Sequence, residues 1–261
     1  MSAPAPGRLY LVPAPLDFGC AAQAPLTDVL PAATLATAAR LTHWIGENAK
    51  STRAYLKRID ALYPLAAPLQ QQHIAELPHA VHKKGDHGGS PGGAADFDAR
   101  ALLHSALQGH DMGLVSEAGM PAVADPGSSV VRAAHALGIA VVPLVGPVSL
   151  LLALAASGLN GQNFAFVGYL PQDAAERAAR IRTLETLALQ GGQTQLFIET
   201  PYRNAALLQA LLQHLRPDTR LAVSSGLTLA TAHTRSQTVR QWRAQPEAPD
   251  KHTPAVFALG R

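Results

Sequence analysis

The chain has 261 residues, of which 48% are hydrophobic and 15% are charged, and this composition is typical of a globular protein. Its 21 basic and 18 acidic residues give a formal net charge of +3, so a polyanionic partner is permitted but not required. Cys20 is the only cysteine, which excludes an intrachain disulfide, and residues 1–12 lack the charged region and cleavage site of a secretion signal. These features favour a reducing, cytoplasmic location.

A long stretch without Asp, Glu, Lys or Arg runs from 133 to 172. Pro143, Gly146 and Pro147 interrupt it, and the apolar helical piece at 148–156 is far shorter than the roughly 20 residues that a membrane span requires. We therefore expect a buried strand, a turn and a buried helix here, and no membrane.

Along the chain, strand-like and helix-like patterns alternate, which favours an α/β layered fold. In the first part the pattern predicts strands at 8–12, 41–46, 112–116 and 139–145, and helices at 32–40, 47–62, 96–109 and 128–137. In the second part it predicts strands at 193–199, 220–225 and 253–260, with a helix at 200–215. We interpret the chain as two α/β domains, residues 1–145 and 146–261.

The segment SEAGMPAVADPG, residues 116–127, connects a predicted strand to a predicted helix and contains no lysine or arginine. Its two glycines let a ligand approach the backbone, and its two prolines fix the path of the chain. Neither GxGxxG nor GxxxxGK with Ser or Thr occurs, so the loop does not match a phosphate-binding motif. With Glu117 and Asp125 it suits a neutral or cationic ligand, of which S-adenosylmethionine is one.

The segment HKKGDHGGSPGGAAD, residues 82–96, is rich in glycine, which predicts a flexible loop or an active-site lid. Its histidines, with His79 and His82, invite a metal site. We predict none, because such a loop offers neither rigid ligands nor a supporting shell.

Six blocks of the sequence together resemble the tetrapyrrole methylase family of S-adenosylmethionine-dependent methyltransferases. They are LYLVPAPL (9–16), GENAKSTRAYL (46–56), LVSEAGMPAVADPGSSVVRAA (114–134), GIAVVPLVGPVSLLLALAASGL (138–159), FVGYLP (166–171) and FIETPYR (197–203). The resemblance implies a parallel-sheet N-terminal domain, a mixed-sheet C-terminal domain, a cofactor in the cleft between them, and a homodimer. It is strongest to members that methylate a ribose 2′-hydroxyl of 16S rRNA in the small ribosomal subunit, which implies that acceptor.

The resemblance also implies which residues contact S-adenosylmethionine, mostly through backbone atoms. They are Pro13, Glu117, Ala118, Gly119, Met120, Val123, Val148, Ser149 and Ile198. Pro121, Pro126 and Gly127 we interpret as residues of turn geometry and helix entry.

A ribose hydroxyl must lose its proton during methyl transfer, and Glu47, Glu117 and Glu199 are candidate bases. We favour Glu47, which follows a strand in a resembling block, with capping of the next helix as the alternative. For Glu199 we favour an ion pair with Arg203 one helical turn later. Arg53 and Lys57, and with them Arg58, Lys83 and Lys84, are candidates for contacts to RNA phosphates, or simply a solvated basic face.

The chain departs from the family in DFGCAAQ (17–23), in the shortened GENAKSTR (46–53) and in SGLT (225–228). Because these segments would face the substrate, methyl transfer is better supported than its acceptor. Two alternatives therefore stay open: a methylase of a small, tetrapyrrole-like molecule, and a catalytically inactive cofactor-binding interaction protein.

Overall fold

The structure is a computed structural model that describes residues 5–17, 19–78 and 97–261. The chain divides into two compact units. The second comprises Gly19–Gln23 and Val148–Arg261, and the first comprises the other described residues up to Pro147. Gly146 and Pro147 thus belong to the first unit, whereas the sequence-based boundary assigned them to the second.

The first unit is built on a five-stranded sheet in which every neighbouring pair is parallel. The strands are β1 (Leu9–Val12), β2 (His43–Gly46), β3 (His73–Glu76), β4 (Met112–Val115) and β5 (Val141–Pro143), in the order β3-β2-β4-β1-β5. All four residues of β4, the central strand, are buried, as expected where helices cover both faces of a parallel sheet.

Helices cover the two faces of this sheet in separate groups. One face packs against α1 (Leu26–Val29), α2 (Ala32–Arg40) and α3 (Ala49–Asp60). The other packs against a 3₁₀ turn (Ala99–Leu103), α4 (His104–Leu107) and α5 (Ser128–Ala136). The chain leaving β4 therefore crosses to one face, while the chains leaving its neighbours β1 and β2 cross to the other. The carboxyl end of β4 is a topological switch point, where open α/β sheets bind ligands.

The second unit is built on a mixed sheet. Its strands are β6 (Phe164–Tyr169), β7 (Thr194–Glu199), β8 (Arg220–Ser225), β9 (His233–Thr238) and β10 (Ala255–Gly260), in the order β6-β7-β10-β8-β9. Only the β6–β7 pair among these is parallel. The helix α6 (Ser149–Ser157) packs on one face; α7 (Ala174–Gly191), α8 (Asn204–His214) and α9 (Val239–Ala244) pack on the other.

The long uncharged stretch forms β5, α6 and β6. In the described ranges no helix combines the length and apolarity needed to cross a bilayer. The expectation of a buried strand and a buried helix here holds only in part. β5 is half-buried. One face of α6 packs on the sheet, while Leu151 and Leu152 are 50% and 39% exposed.

Residues 96–109 were predicted as one helix, and this was also wrong. The described part forms a 3₁₀ turn followed by the four-residue α4. The turn starts at Asp98, whose side chain accepts the backbone N–H of Arg100 at 3.0 Å. This bond caps the start of the 3₁₀ turn.

Candidate functional site

The loop 116–127 leaves the carboxyl end of β4 with an unusual backbone. Four residues have positive φ: Gly119 (73°), Ala122 (65°), Ala124 (66°) and Gly127 (134°). Glycine adopts such angles freely, but each alanine costs on the order of 1 kcal/mol. Strained non-glycine residues persist where the surrounding structure fixes them, and they cluster at functional sites. This loop is therefore the first candidate for a ligand site.

The loop after β1 fixes the centre of this loop. Ala14 and Gly119 exchange two backbone hydrogen bonds, of 2.9 and 3.0 Å. A β-carbon at Gly119 would lie 3.2 Å from Cδ2 of Leu16. The N–H and C=O of Gly119 both bond to Ala14, so they are not available to a ligand. The absence of a side chain at Gly119 would instead leave space for a ligand, and neighbours such as Ala118 would supply backbone donors.

The loop that follows β5 packs closely against the loop that follows β1. A β-carbon at Gly146 would lie 2.3 Å from Cγ of Pro13, so only glycine fits. From α3, the Tyr55 hydroxyl donates to the Pro13 carbonyl at 2.8 Å, and burial raises the pKa of this phenol, which keeps it a donor. Sequence reasoning missed Tyr55 as a support of the site. Its spacing from Thr52, Leu56 and Ile59, the other buried residues of α3, was the available signal.

Glu47 follows β2 and reaches the loop after β4. Its Oε1 accepts the backbone N–H of Glu117 at 3.2 Å. The alternative that Glu47 caps α3 was wrong, because Asn48 does so: its Oδ1 accepts the N–H groups of Lys50 and Ser51 at 2.8 and 3.2 Å. Glu47 thus connects the end of β2 to the loop that follows the neighbouring strand β4.

Asp125 completes a group of three carboxylates with Glu47 and Glu117. Burial, and then the negative charges of Glu47 and Glu117, raise its pKa to about 7. Sequence reasoning assigned this part of the loop to helix entry and missed Asp125 as a titrating group. The signal was the lack of lysine and arginine in the loop, since no cation within it can neutralise the carboxyl. At the start of the loop, the Ser116 hydroxyl is buried without a hydrogen-bond partner among the described residues.

The predicted cofactor residues divide between the two units. Pro13 and the residues from Glu117 to Val123 lie in the first unit, at the carboxyl edge of its sheet. In the second unit, Val148 and Ile198 pack against the same apolar cluster between α6 and the sheet, and Ser149 begins α6.

The basic residues of α3 fall into two kinds. Arg53 and Lys57 are exposed and one helical turn apart. Arg58 instead makes two 2.9 Å bonds to Asp17, whose side chain is only 3% exposed, so the suggestion that it contacts RNA phosphates was wrong. A buried carboxylate holds its ion-pair partner strongly. Lys83, Lys84, His79 and His82 lie outside the described residues.

The predicted pair of Glu199 and Arg203 forms, with 2.7 Å between their charged atoms and the Glu199 side chain 5% exposed. No cluster of three or more His, Cys, Asp or Glu side chains in the described part of the chain could hold a metal ion.

The two-unit α/β architecture, with a strained loop at the switch point of a parallel sheet, places the protein in a fold class shared with solved methyltransferases. The methyltransferase CobJ matches 98% of this chain and 94% of its own with a TM-score of 0.58 and 19% identity. A uroporphyrin-III C-methyltransferase from Thermus thermophilus, solved with S-adenyl homocysteine, matches 98% of both chains with a TM-score of 0.53 and 17% identity. These likenesses establish the fold, a parallel-sheet domain followed by a mixed-sheet domain, as the sequence predicted.

Residues 32–242 match the family model of tetrapyrrole (corrin/porphyrin) methylases, and the chain belongs to this family. Its relatives include ribosomal RNA small subunit methyltransferase I of Mesorhizobium japonicum, 38% identical over 55% of this chain and 48% of the relative. The protein of that name from Pseudomonas aeruginosa is 44% identical over 41% of this chain and 36% of the relative. The match therefore spans less than half the length of these relatives.

Proposed function

We propose that the protein is an S-adenosylmethionine-dependent methyltransferase that methylates a ribose 2′-hydroxyl of 16S rRNA. Membership of the methylase family and the relatives named for small subunit rRNA support this proposal. The observation that carries it is the loop 116–127, whose strained backbone is held at the switch point by bonds from two other segments. The cytoplasm, where ribosomes are made, and a homodimer belong to the same proposal.

The residues present fit S-adenosylmethionine. The Gly119 position has no side chain, the Ser116 hydroxyl has no partner among the described residues, and the negative charges of Glu47 and Glu117 act on Asp125. These features suit a ligand that combines a cationic sulfonium with ribose hydroxyls and an amino group. We propose that the ligand is held by Pro13, Glu117, Ala118, Gly119, Met120, Val123, Val148, Ser149 and Ile198.

When bound, S-adenosylmethionine supplies a methyl group that a hydroxyl oxygen can attack. The residues of this chain then have two tasks. The interlocked loops at Pro13, Gly119 and Gly146 hold the reactant in place, and positioning of this kind contributes up to about 7–11 kcal/mol. A carboxylate takes up the hydroxyl proton, which contributes about 10²–10⁴-fold in rate. Glu47, the candidate from sequence, is the carboxylate proposed for this task.

Arg53 and Lys57 are proposed as contacts to RNA phosphates, because both are exposed and neither has an ion pair among the described residues. A small-molecule acceptor is the second candidate function. Two observations favour it. DFGCAAQ and SGLT lack charges that are usual in the family. The carboxylate that DFGCAAQ does contain, Asp17, is bonded to Arg58.

Calorimetry tests the methyl donor. The purified protein is expected to bind S-adenosylmethionine or its demethylated product, with measurable heat at near-millimolar ligand. Absence of heat for both compounds would contradict the proposed function and both alternatives, since each requires the cofactor.

Mass spectrometry of 16S rRNA tests the acceptor. A strain lacking the gene is expected to lose one 2′-O-methylated nucleoside, which returns when the gene is restored. An unaltered methylation pattern would favour the small-molecule acceptor.

A further inference from the structure

Two adjoining cavities lie in the second unit beside strand β9, at the edge of the mixed sheet. The outer cavity has a volume of about 690 Å³ and is lined by five consecutive residues of the strand, 233–237, and by residues 245–247. The inner cavity has a volume of about 320 Å³ and is lined by residues of β8, β9 and α9 and by residues 247–250. His233, Arg235 and Glu247 line both cavities, so the two meet at these side chains.

Arg235 is fixed at the junction of the two cavities. Its guanidinium lies 4.1 Å from the centre of the Trp242 ring, within the range of a cation–π contact. Its Nε and Nη2 atoms both donate to Oε1 of Gln237, at 3.0 and 2.8 Å. Its Nη1 atom donates no hydrogen bond within the described part of the chain, and Oε2 of Glu247, at 3.7 Å, lies beyond hydrogen-bond distance. The N–H groups of Nη1 can therefore bind a ligand.

The charge of Arg235 lacks the close counter-ion that other arginines of this chain have. Arg58 and Arg203 pair with carboxylates whose side chains are 3% and 5% exposed, at 2.9 and 2.7 Å. The Arg235 side chain is only 13% exposed, whereas that of Glu247 is 75% exposed. Burial of a charge without a close partner is unfavourable. An anionic group bound at Nη1 would remove this cost, and a phosphate matches a guanidinium donor well.

The inner cavity suits a planar ring that carries a hydrogen-bond donor. Trp242 and Val223 contribute apolar surface to its lining. The Asp250 carboxylate accepts the backbone N–H groups of His252 and Thr253, so it is already bonded. Glu247 lines both cavities, and an ionised carboxylate only accepts hydrogen bonds, so it calls for a donor such as an amino group. A nucleotide combines these parts: a phosphate, a planar base and, in three of the four bases, an exocyclic amino group.

We propose that the two cavities bind one nucleotide of a single-stranded segment of the RNA acceptor. Nη1 of Arg235 donates to a phosphate oxygen in the outer cavity. The base lies in the inner cavity, and Glu247 accepts a hydrogen bond from its amino group. The inference rests on the proposed RNA acceptor. It specifies single-stranded RNA, because unstacked bases can enter a pocket of the protein, whereas a duplex keeps them paired.

Short oligonucleotides of about five residues test the phosphate contact. Fluorescence anisotropy with labelled pentamers of cytidine, adenosine or uridine measures their affinity at several salt concentrations. Arg235→Gln should weaken binding of all three pentamers by roughly tenfold, and should lower the slope of log K against log salt concentration by about 0.7. Arg240→Gln is the matched control, because Arg240 is exposed, belongs to the same unit and lines neither cavity. Equal affinities and slopes in the two variants would overturn the proposal.

The Glu247→Ala variant tests the base contact. Wild-type protein should bind the cytidine and adenosine pentamers about tenfold more tightly than the uridine pentamer, since uracil has no amino group. Glu247→Ala should lose this preference without weaker binding of uridine, because it removes an acceptor and also a negative charge near the phosphate. The side chain is exposed, so the variant is expected to fold, and thermal unfolding checks this. Asp218→Ala, which removes another exposed carboxylate of the second unit, should keep the preference. The same preference in wild type and Glu247→Ala would contradict the assignment of the base.

The outcomes separate this site from the proposed function. Full methylation of 16S rRNA by Arg235→Gln, with pentamer binding equal to that of Arg240→Gln, would overturn the site and leave methyl transfer to RNA intact. Loss of pentamer binding in Arg235→Gln alone, in a protein that does not methylate 16S rRNA, would contradict the proposed acceptor instead. Ultraviolet crosslinking of the cytidine pentamer, followed by mass spectrometry, locates the RNA. Crosslinks are expected within 233–237 or 245–250, and crosslinks confined to other segments would exclude this site.

Discussion

At the scale of single residues, Asp125 makes stability depend on pH in an unusual direction for an aspartate. Its folded pKa of about 7 lies above the ordinary value of 3.8, so between about pH 4 and 7 the folded protein binds a proton that the unfolded chain releases. Folding stability contributed by this group is therefore present below pH 4 and is lost as pH rises towards 7.

Replacing Asp125 by asparagine should remove this loss. We expect Asp125→Asn to raise the free energy of unfolding at pH 8 by on the order of 1–3 kcal/mol, and to change it little at pH 4. Urea unfolding at the two pH values measures the difference. Equal effects at both would show that the carboxyl titrates near its ordinary pKa.

The residues of the site differ in how far sequence could identify them. The motif blocks pointed to Gly119 and its neighbours, because glycine and proline leave a recognisable pattern in any one loop. Tyr55 and Asp125 were missed, because the Pro13 carbonyl that Tyr55 bonds and the Glu47 charge that acts on Asp125 lie 42 and 78 residues away along the chain. Arg58 was misjudged for the same reason, as its partner Asp17 is 41 residues distant.

At the scale of elements, the site depends on the interlock between the loops that follow β1, β4 and β5. Gly119→Val introduces a branched side chain at φ of 73°, with its β-carbon 3.2 Å from Leu16. We expect it to disrupt the Ala14–Gly119 bridge and to weaken S-adenosylmethionine binding at least tenfold, with a loss of stability of about 1–3 kcal/mol.

The control for this variant is Gly161→Val, because a β-carbon there meets nothing within 4 Å. Calorimetry gives the affinities and thermal unfolding gives the stabilities. Wild-type affinity in Gly119→Val would mean that this loop does not bind the donor.

Most strands with strong apolar patterns were predicted well, and strands with weak patterns were not. The strands at 9–12, 43–46, 112–115 and 220–225 lie within two residues of their predicted bounds. β3, β6 and β9 had no prediction: HIAE is short and HTRSQT is polar throughout, whereas FAFVGY is apolar and was missed despite that. All three lie at sheet edges, where one side lacks a neighbouring strand and partial exposure permits polar residues.

At the scale of the whole molecule, a net charge of +3 does not by itself indicate RNA binding, so the location of exposed cations matters more. If Arg53 and Lys57 contact phosphates, the affinity for small-subunit RNA falls with salt, and each contact contributes about 0.7–0.9 to the slope of log K against log salt concentration. Arg53→Ala with Lys57→Ala should therefore reduce that slope by about 1–2.

A double variant of Arg182→Ala and Lys251→Ala serves as the control, because both residues are exposed in the second unit and carry the same total charge. Filter binding at salt concentrations between about 50 and 200 mM measures both slopes, because phosphate contacts change the affinity strongly over this range. Equal slopes in the two variants would exclude α3 as the RNA contact.

Methyl transfer to 16S rRNA can be measured with purified components. Purified protein is incubated with tritiated S-adenosylmethionine and small ribosomal subunits from a strain that lacks the gene. We expect tritium in 16S rRNA, recovered after digestion as a single 2′-O-methylated nucleoside, and little incorporation into subunits from the parent strain, whose site is already methylated. Absence of tritium from the RNA of the deletion strain, with donor binding intact, would contradict the claim.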